Sequence, residues 1–214
     1  MLFNLATKNS IANRFVAELR DTEIQKDRLR FRRNLERIGE VLAYEISQTL
    51  DYKPVEVDTP LGTARVNLPT QRILLATILR AGLPFHHGML NYFDTADNVF
   101  IAAYRKQHKD GSFEIQLDYV STPSLNGCVL ILADPMLATG ASINLALKEL
   151  ERFGKPAEVH VATVIASTAG VEAVRRRWPK VRIWVGAVDE ELTAKSYIVP
   201  GLGDAGDLAF GEKM

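Results

Sequence analysis

Apolar positions follow two rhythms along this chain. Across residues 27–50, Leu35, Ile38, Leu42, Ile46 and Leu50 recur at steps of three and four, the period of an amphipathic helix with one buried stripe. Ile11, Phe15, Val16 and Leu19 repeat that spacing more weakly. Elsewhere the apolar residues come in short unbroken runs, at 73–79, 100–104, 129–133, 159–166 and 181–187. Runs of this length, rich in β-branched residues and bounded by turn formers, read as strands buried on both faces. Residues 115–120 add a strand-like run, and 52–60, alternating at Val55 and Val57, reads as an edge strand closed by Pro60, Leu61 and Gly62. Helical patterns follow the buried runs. Residues 142–150 place Ile143, Ala146, Leu147 and Leu150 on one stripe that stops at Gly154 and Pro156, and 169–178 supplies another helix. Strands alternating with helices imply an α/β fold, with a central, mainly parallel sheet flanked by helices and right-handed crossovers.

Composition narrows this picture. The 214 residues suffice for one substantial domain, 1–214, and 47% apolar with 24% charged residues is a globular balance. Lys plus Arg and Asp plus Glu are both 26, a formal charge of zero that offers no attraction to nucleic acid or anionic lipid and little repulsion against self-association. A homodimer or higher homo-oligomer is expected, with neither nucleic acid nor membrane as partner. The N-terminal MLFNLATKNS lacks a basic segment followed by a long apolar run, so it is not read as a signal peptide. The lone Cys128 starts a buried strand and reads as a structural hydrophobe; a cytoplasmic location is expected. Arg28, Arg30, Arg32 and Arg33 have Asp27, Glu36 and Glu40 among them, the pattern of a solvated helix face or a subunit contact rather than a nucleic-acid patch.

Candidate chemistry collects at strand ends. In VLILADPMLATGAS, Asp134 follows a buried strand, and Pro135 keeps it extended, beyond the sheet edge. Thr139, Gly140, Ala141 and Ser142 then open a helix, whose first-turn N–H groups and positive dipole end suit an anion. Thr-Gly before a helix is as often a mere cap; the stranded Asp134 tips the reading towards a sugar phosphate, its carboxylate accepting from ribose hydroxyls. Arg80-Ala81-Gly82 follows the strand at 73–79, either as a solvent-facing turn or as a grip on a diphosphate. Arg105 and Lys106 stand on a charged hairpin turning at Asp110-Gly111, which reads either as a surface tip or as a lid over a leaving group; both readings expect mobility without ligand. The adjacent His86 and His87 point to different helix faces and are assigned no metal. In YIVPGLGDAGD, three glycines surround two acids; calcium-loop spacing is absent, and exposed backbone groups suit reading the edge of a planar base.

The blocks LERIGEVLAYE, ILRAG, DPMLATGAS and YIVPGLGDAGD occur in that order and resemble the type I phosphoribosyltransferases, specifically the uracil phosphoribosyltransferase family. The resemblance implies a type I phosphoribosyltransferase fold with a small hood and a β-hairpin arm. It implies transfer of the phosphoribosyl group of 5-phospho-α-D-ribose 1-diphosphate to uracil, giving UMP and diphosphate in pyrimidine salvage, with Mg2+ as cofactor. On this basis Arg80 and Arg105 contact the diphosphate. Asp134 holds the ribose hydroxyls, and Pro135, Met136, Leu137, Ala138, Thr139, Gly140, Ala141 and Ser142 bind the donor around its 5-phosphate. Tyr197, Ile198, Gly203, Asp204 and Ala205 meet uracil, largely through backbone atoms. Arg105, Asp134 and Asp204 are the catalytic set. No direct protein ligand is assigned to magnesium, which the diphosphate carries, with Asp204 facing the donor or its metal. Ala141 departs from the glycine of many members, and the tail from Leu208 to Met214 departs slightly from the common ending. An RNA-binding pyrimidine regulator of the same fold and a phosphoribosyltransferase for another nucleobase are the alternatives.

Overall fold

The unbroken apolar runs become the middle of one sheet. The structure, a computed structural model, describes residues 1–107 and 113–212. In chain order its elements are β1 (Leu2–Asn4), α1 (Ala12–Arg20), α2 (Arg28–Ser47), β2 (Tyr52–Thr59), β3 (Gly62–Pro69), β4 (Ile73–Leu79), α3 (Gly82–Leu90), β5 (Asp97–Gln107) and β6 (Phe113–Ser121). Then come β7 (Val129–Ala133), β8 (Met136–Leu137), α4 (Ala141–Leu150), β9 (Glu158–Ser167), α5 (Thr168–Arg177), β10 (Arg182–Asp189), β11 (Glu191–Leu192), β12 (Ile198–Val199) and α6 (Ala205–Phe210).

The main sheet runs β1-β10-β9-β7-β4-β5-β6, with β8 attached to β9. All its pairings are parallel except β5 with β6. Alternate residues of each central strand enter opposite cores, as a two-faced strand requires. Leu75, Val129, Ile131 and Ala133 pack with Leu35, Ile38 and Leu42 of α2 and Phe85 of α3. Leu74, Ala76, Leu130 and Leu132 pack instead with Ile143 and Ala146 of α4 and Val171 and Val174 of α5. Caps fix where these helices begin. Asp27 accepts from the N–H groups of Leu29 and Arg30 at the start of α2, and Ser167 Oγ accepts from Gly170 at the start of α5.

The periodic helices and buried strands lie where the pattern put them; the exposed and very short pieces differ. Residues 52–60 do not edge the main sheet. They form β2, which pairs with β3 in a separate antiparallel hairpin exposed along nearly its whole length. β3 carries no core stripe to announce it. β1 is three residues long and exists through its pairing with β10, a long-range contact with no local signature. Most of the arginine run at the start of α2 is committed to the chain itself: Arg30 pairs with Glu18 at 3.1 Å, Arg33 with Glu36 at 2.6 Å, and Arg32 donates to the Ala209 carbonyl. Cys128 is buried and donates its S–H to the Leu125 carbonyl. Among the described residues no helix is long and apolar enough to cross a membrane.

Candidate active site

The order of the strands reverses between β4 and β7. The chain leaves β4 through α3 towards β5 on one side, and leaves β7 through α4 towards β9 on the other. Because α3 and α4 lie on opposite faces of the sheet, the two loops part at its carboxyl edge, and ligands of open α/β sheets bind in the crevice so formed. A cleft of about 470 Å³ lies here. Arg80 flanks it from β4, Asp134 from β7, and the segment from Ser196 to Gly206 closes it as a hood.

The loop after β7 splits its residues between cleft and core. Met136, Ala138 and Ser142 line the cleft with Asp134. Pro135, Leu137 and Gly140 are buried behind it, where Met136 and Leu137 form the short strand β8 against Ile165 and Ala166, and the Pro135 carbonyl accepts from Val164 and Ile165. Three of the eight residues read as a donor-binding loop are therefore its internal support. Gly140 precedes α4 in the left-handed region at φ 78°, and Thr139 Oγ1 accepts from the N–H of Ala141, 3.3 Å away. Ala141 is thus the first residue of α4 and keeps the N–H that its departure from glycine left in place. Ser167 Oγ, already the cap of α5, also donates to the Ala138 carbonyl and pins the loop from a neighbouring element.

The hood is not all loop. Asp204 Oδ1 accepts from Gly206 N–H at 2.9 Å and Asp207 N–H at 3.0 Å, capping the short helix α6, so Ala205 and Gly206 are buried helical residues rather than loop. Pattern reading missed α6 because six residues carry too little periodicity. Tyr197, Ile198, Gly203, Asp204 and Ala205 all line the cleft, together with Gly206 of the same glycine-rich segment and the unforeseen Ser196. Arg80, on the cleft lining, is tied to the C-terminal segment: its Nη2 donates to Asp207 Oδ1 at 3.2 Å and to the Gly211 carbonyl at 3.1 Å. Ile78, Leu79, Ala81 and Ala103 supply apolar wall. Arg105 falls on β5, but its side chain and the Asp110-Gly111 turn lie outside the described residues.

Two carboxylates, Asp134 and Asp204, line the cleft, and among the described residues no cluster of three or more His, Cys, Asp or Glu has metal-site geometry. Two hard oxygen donors on one cleft suit a magnesium ion only if it takes most of its ligands from a bound substrate and water. His86 is buried against Phe100, ring centroids 5.4 Å apart, and burial holds its pKa below the usual value, whereas His87 on the other face is exposed.

Comparison with known proteins agrees with this geometry. The family model described as uracil phosphoribosyltransferase matches residues 6–212. A protein of Porphyromonas gingivalis named uracil phosphoribosyltransferase is 52% identical over 214 residues, covering 100% of this chain and 99% of the relative. A protein of that name from Pyrococcus furiosus is 38% identical, covering 93% and 85%. Among solved structures, a protein of Aquifex aeolicus superposes with a TM-score of 0.88 at 32% identity, covering 99% of this chain and 98% of the other. A hypoxanthine phosphoribosyltransferase of Staphylococcus aureus shares the fold at a TM-score of 0.50 and 14% identity, over 74% of each chain. With a family model spanning nearly its whole length and a relative identical at half its positions, the chain belongs to the uracil phosphoribosyltransferase family.

Proposed function

We propose that the cleft transfers the phosphoribosyl group of 5-phospho-α-D-ribose 1-diphosphate to uracil, giving UMP and diphosphate, in the cytoplasm, from a homo-oligomer in which residues 1–214 act as one domain. The observation that carries this reading is the convergence of Arg80, Asp134, Ser142 and the backbone-rich hood on one cleft at the sheet's switch point. Each element matches a different part of the reactants.

Residues 138–142 and the N-terminus of α4 receive the 5-phosphate, since first-turn N–H groups and the positive helix end favour an anion. Asp134 accepts from the ribose hydroxyls and holds the ring. Arg80 exchanges Asp207 for a diphosphate oxygen, and Arg105 meets the diphosphate from β5. Asp204 would face a magnesium ion brought in with the diphosphate, and such an ion would neutralise charge on the leaving group. As the anomeric C–O bond to diphosphate breaks, positive charge grows on the sugar, and uracil N1 forms the new bond to the same carbon while its N1–H bond breaks, the proton passing to the departing diphosphate or to water. No protein nucleophile is needed, so rate enhancement comes from positioning and from stabilising the departing charge. Around Ile198, Gly203 and Ala205 the backbone reads uracil, accepting from N3–H and donating to the C4 carbonyl. The expected outcome is UMP formation from purified protein, donor, uracil and magnesium, with far slower turnover of cytosine and hypoxanthine. Equal use of hypoxanthine, or no nucleotide from any base, would overturn the assignment.

A further inference from the structure

We propose that the ion pair of Arg20 and Asp189 is the positioning device of the base-reading hood, setting affinity and selectivity for the base without touching it. This rests on the reading of the cleft given above.

Asp189 ends β10 at the carboxyl edge of the sheet, and Arg20 is the last residue of α1. They meet as a two-pronged pair, Arg20 Nη1 to Oδ2 at 2.7 Å and Nη2 to Oδ1 at 2.8 Å, a geometry that fixes orientation as well as distance. The same two side chains also grasp Gly201 from both sides. Its N–H donates to Asp189 Oδ2 at 2.9 Å, and its carbonyl accepts from Arg20 Nη1 at 2.9 Å. One ion pair therefore holds the two consecutive peptide groups that flank a single residue, leaving that point of the chain little freedom to shift or rotate.

Gly201 is where such control matters. It is buried in the left-handed region at φ 57°, and a Cβ there would lie 2.2 Å from the Ile198 carbonyl, so the chain doubles tightly back at this point. Ile198, three residues before, and Gly203, two after, line the cleft, whereas Arg20, Asp189 and Gly201 do not. A second tether comes from the same side of the molecule: with its nitrogen turned to face the carbonyls, the Gln25 amide donates to Leu202 O at 2.8 Å and to Leu19 O at 3.3 Å. The hood is thus anchored by α1 and the segment after it, more than 160 residues away in sequence.

A largely buried ion pair is a poor source of stability, because desolvation cancels much of its attraction. An apolar pair could fill the space, but it could not hold an N–H and a C=O at once. Discrimination by backbone groups works only if those groups cannot turn to suit the wrong base. Uracil presents a donor at N3 and an acceptor at C4, and cytosine the reverse; a loosened peptide can follow that reversal, and a clamped one cannot.

The test compares Arg20→Lys and the near-isosteric Asp189→Asn with Arg72→Lys, which alters another arginine–aspartate pair, to Asp97, remote from the hood. Lysine keeps the charge of Arg20 and loses its fork. Circular dichroism and melting establish that each variant is folded. Steady-state kinetics give KM for uracil and for the donor separately, with the uracil-to-cytosine ratio, and amide exchange is followed across residues 198–206. For Arg20→Lys and Asp189→Asn the expected result is a KM for uracil raised about 10–100-fold, the effect of losing a charge-assisted contact, with the donor KM moving less than about 2-fold. A smaller uracil-to-cytosine ratio and faster exchange across the hood should accompany it, while Arg72→Lys changes none of these. Unchanged exchange in the hood, or a rise in both KM values together, would overturn the proposal. If the unaltered protein forms no UMP, the functional reading fails instead, and exchange alone decides whether the pair is the clamp.

Discussion

Two hollows lie at opposite edges of the same sheet. The one at the amino edge is larger, about 810 Å³ against about 470 Å³, and is walled by Leu147, Leu150, Trp178 and Val181. The α4 helix runs from one to the other, presenting its first N–H groups to the smaller cleft and its last carbonyls to the larger hollow. Cations gather at the larger one, in Lys155, Arg177, Lys180 and Arg182, but Arg177 ends α5, Lys155 and Lys180 follow the ends of α4 and α5, and Arg182, at the start of β10, is 3.0 Å from Glu158. The first three offset negative helix ends. At the smaller cleft the positive helix end is left for a ligand. Strand direction and helix polarity, not volume, decide which hollow can hold a phosphorylated sugar.

Truncation in the larger hollow should have the largest effect, and on stability alone. Leu150→Ala removes a fully buried side chain and should cost about 2–5 kcal/mol in urea unfolding, with kcat/KM per folded molecule unchanged. A matching loss of turnover would erase the distinction between the two edges. In the cleft the reverse holds. Asp134→Asn should lose about 1.5–3 kcal/mol of transition-state stabilisation while the melting temperature stays put. Wild-type activity in that variant would remove Asp134 from the site.

Within the hood the contrast sharpens further. Gly203 sits at φ 96° on the cleft lining, and a Cβ there would touch only Leu208 Cδ1 at 3.7 Å, so Gly203→Val crowds the hood beside the cleft and should impose about 1–3 kcal/mol of backbone strain. Uracil turnover should collapse there. Ile198→Ala should weaken packing yet keep the preference for uracil over cytosine. Retained uracil use in the first variant together with lost discrimination in the second would show that the base is wrongly placed.

The smallest expected effect is in pH. Burial, reinforced by the Arg182 charge and opposed by Glu158, holds the His160 pKa down to about 4 from 6.5. The Trp184 indole N–H donates to its Nδ1, which fixes the neutral ring. The unfolded chain therefore takes up a proton first, and stability should be constant above pH 6.5 and decline from there towards pH 4. Hydrogen bonds from Asn34 and Arg14 hold Glu18 at about 2 from 4.5, so its contribution is present above pH 4.5 and lost between 4.5 and 2. Denaturant unfolding across pH checks both, and His160→Gln should flatten only the upper limb.

How legible each feature is follows from how local its cause is. β4 and β7 are bounded to the residue by the sequence pattern, because Arg80 and Asp134 interrupt apolar runs that must be buried on both faces. The stripe of Ile143, Ala146, Leu147 and Leu150 is the buried face of α4. Arg80, Asp134, Ser142 and Gly203 can be placed together because Arg80 and Asp134 follow the carboxyl ends of strands, Ser142 lies in the first turn of a helix one loop later, and Gly203 sits in a glycine-rich segment with an obvious use for bare backbone. What stays hidden depends on distant partners. β1 needs β10, the Ala138 loop needs Ser167, and the hold of Arg20 and Asp189 on Gly201 joins residues that no window of sequence contains. Asp204 is legible as a site acid and not as a helix cap, since the helix it caps is too short to show a period.

That the smaller cleft, and not the larger hollow, binds the phosphoribosyl donor is tested most directly by amide exchange on the unaltered protein, with and without donor and magnesium. Protection is expected in residues 136–144 and 196–206, with no change in 150–159 or 177–182. Protection confined to those latter segments would contradict it.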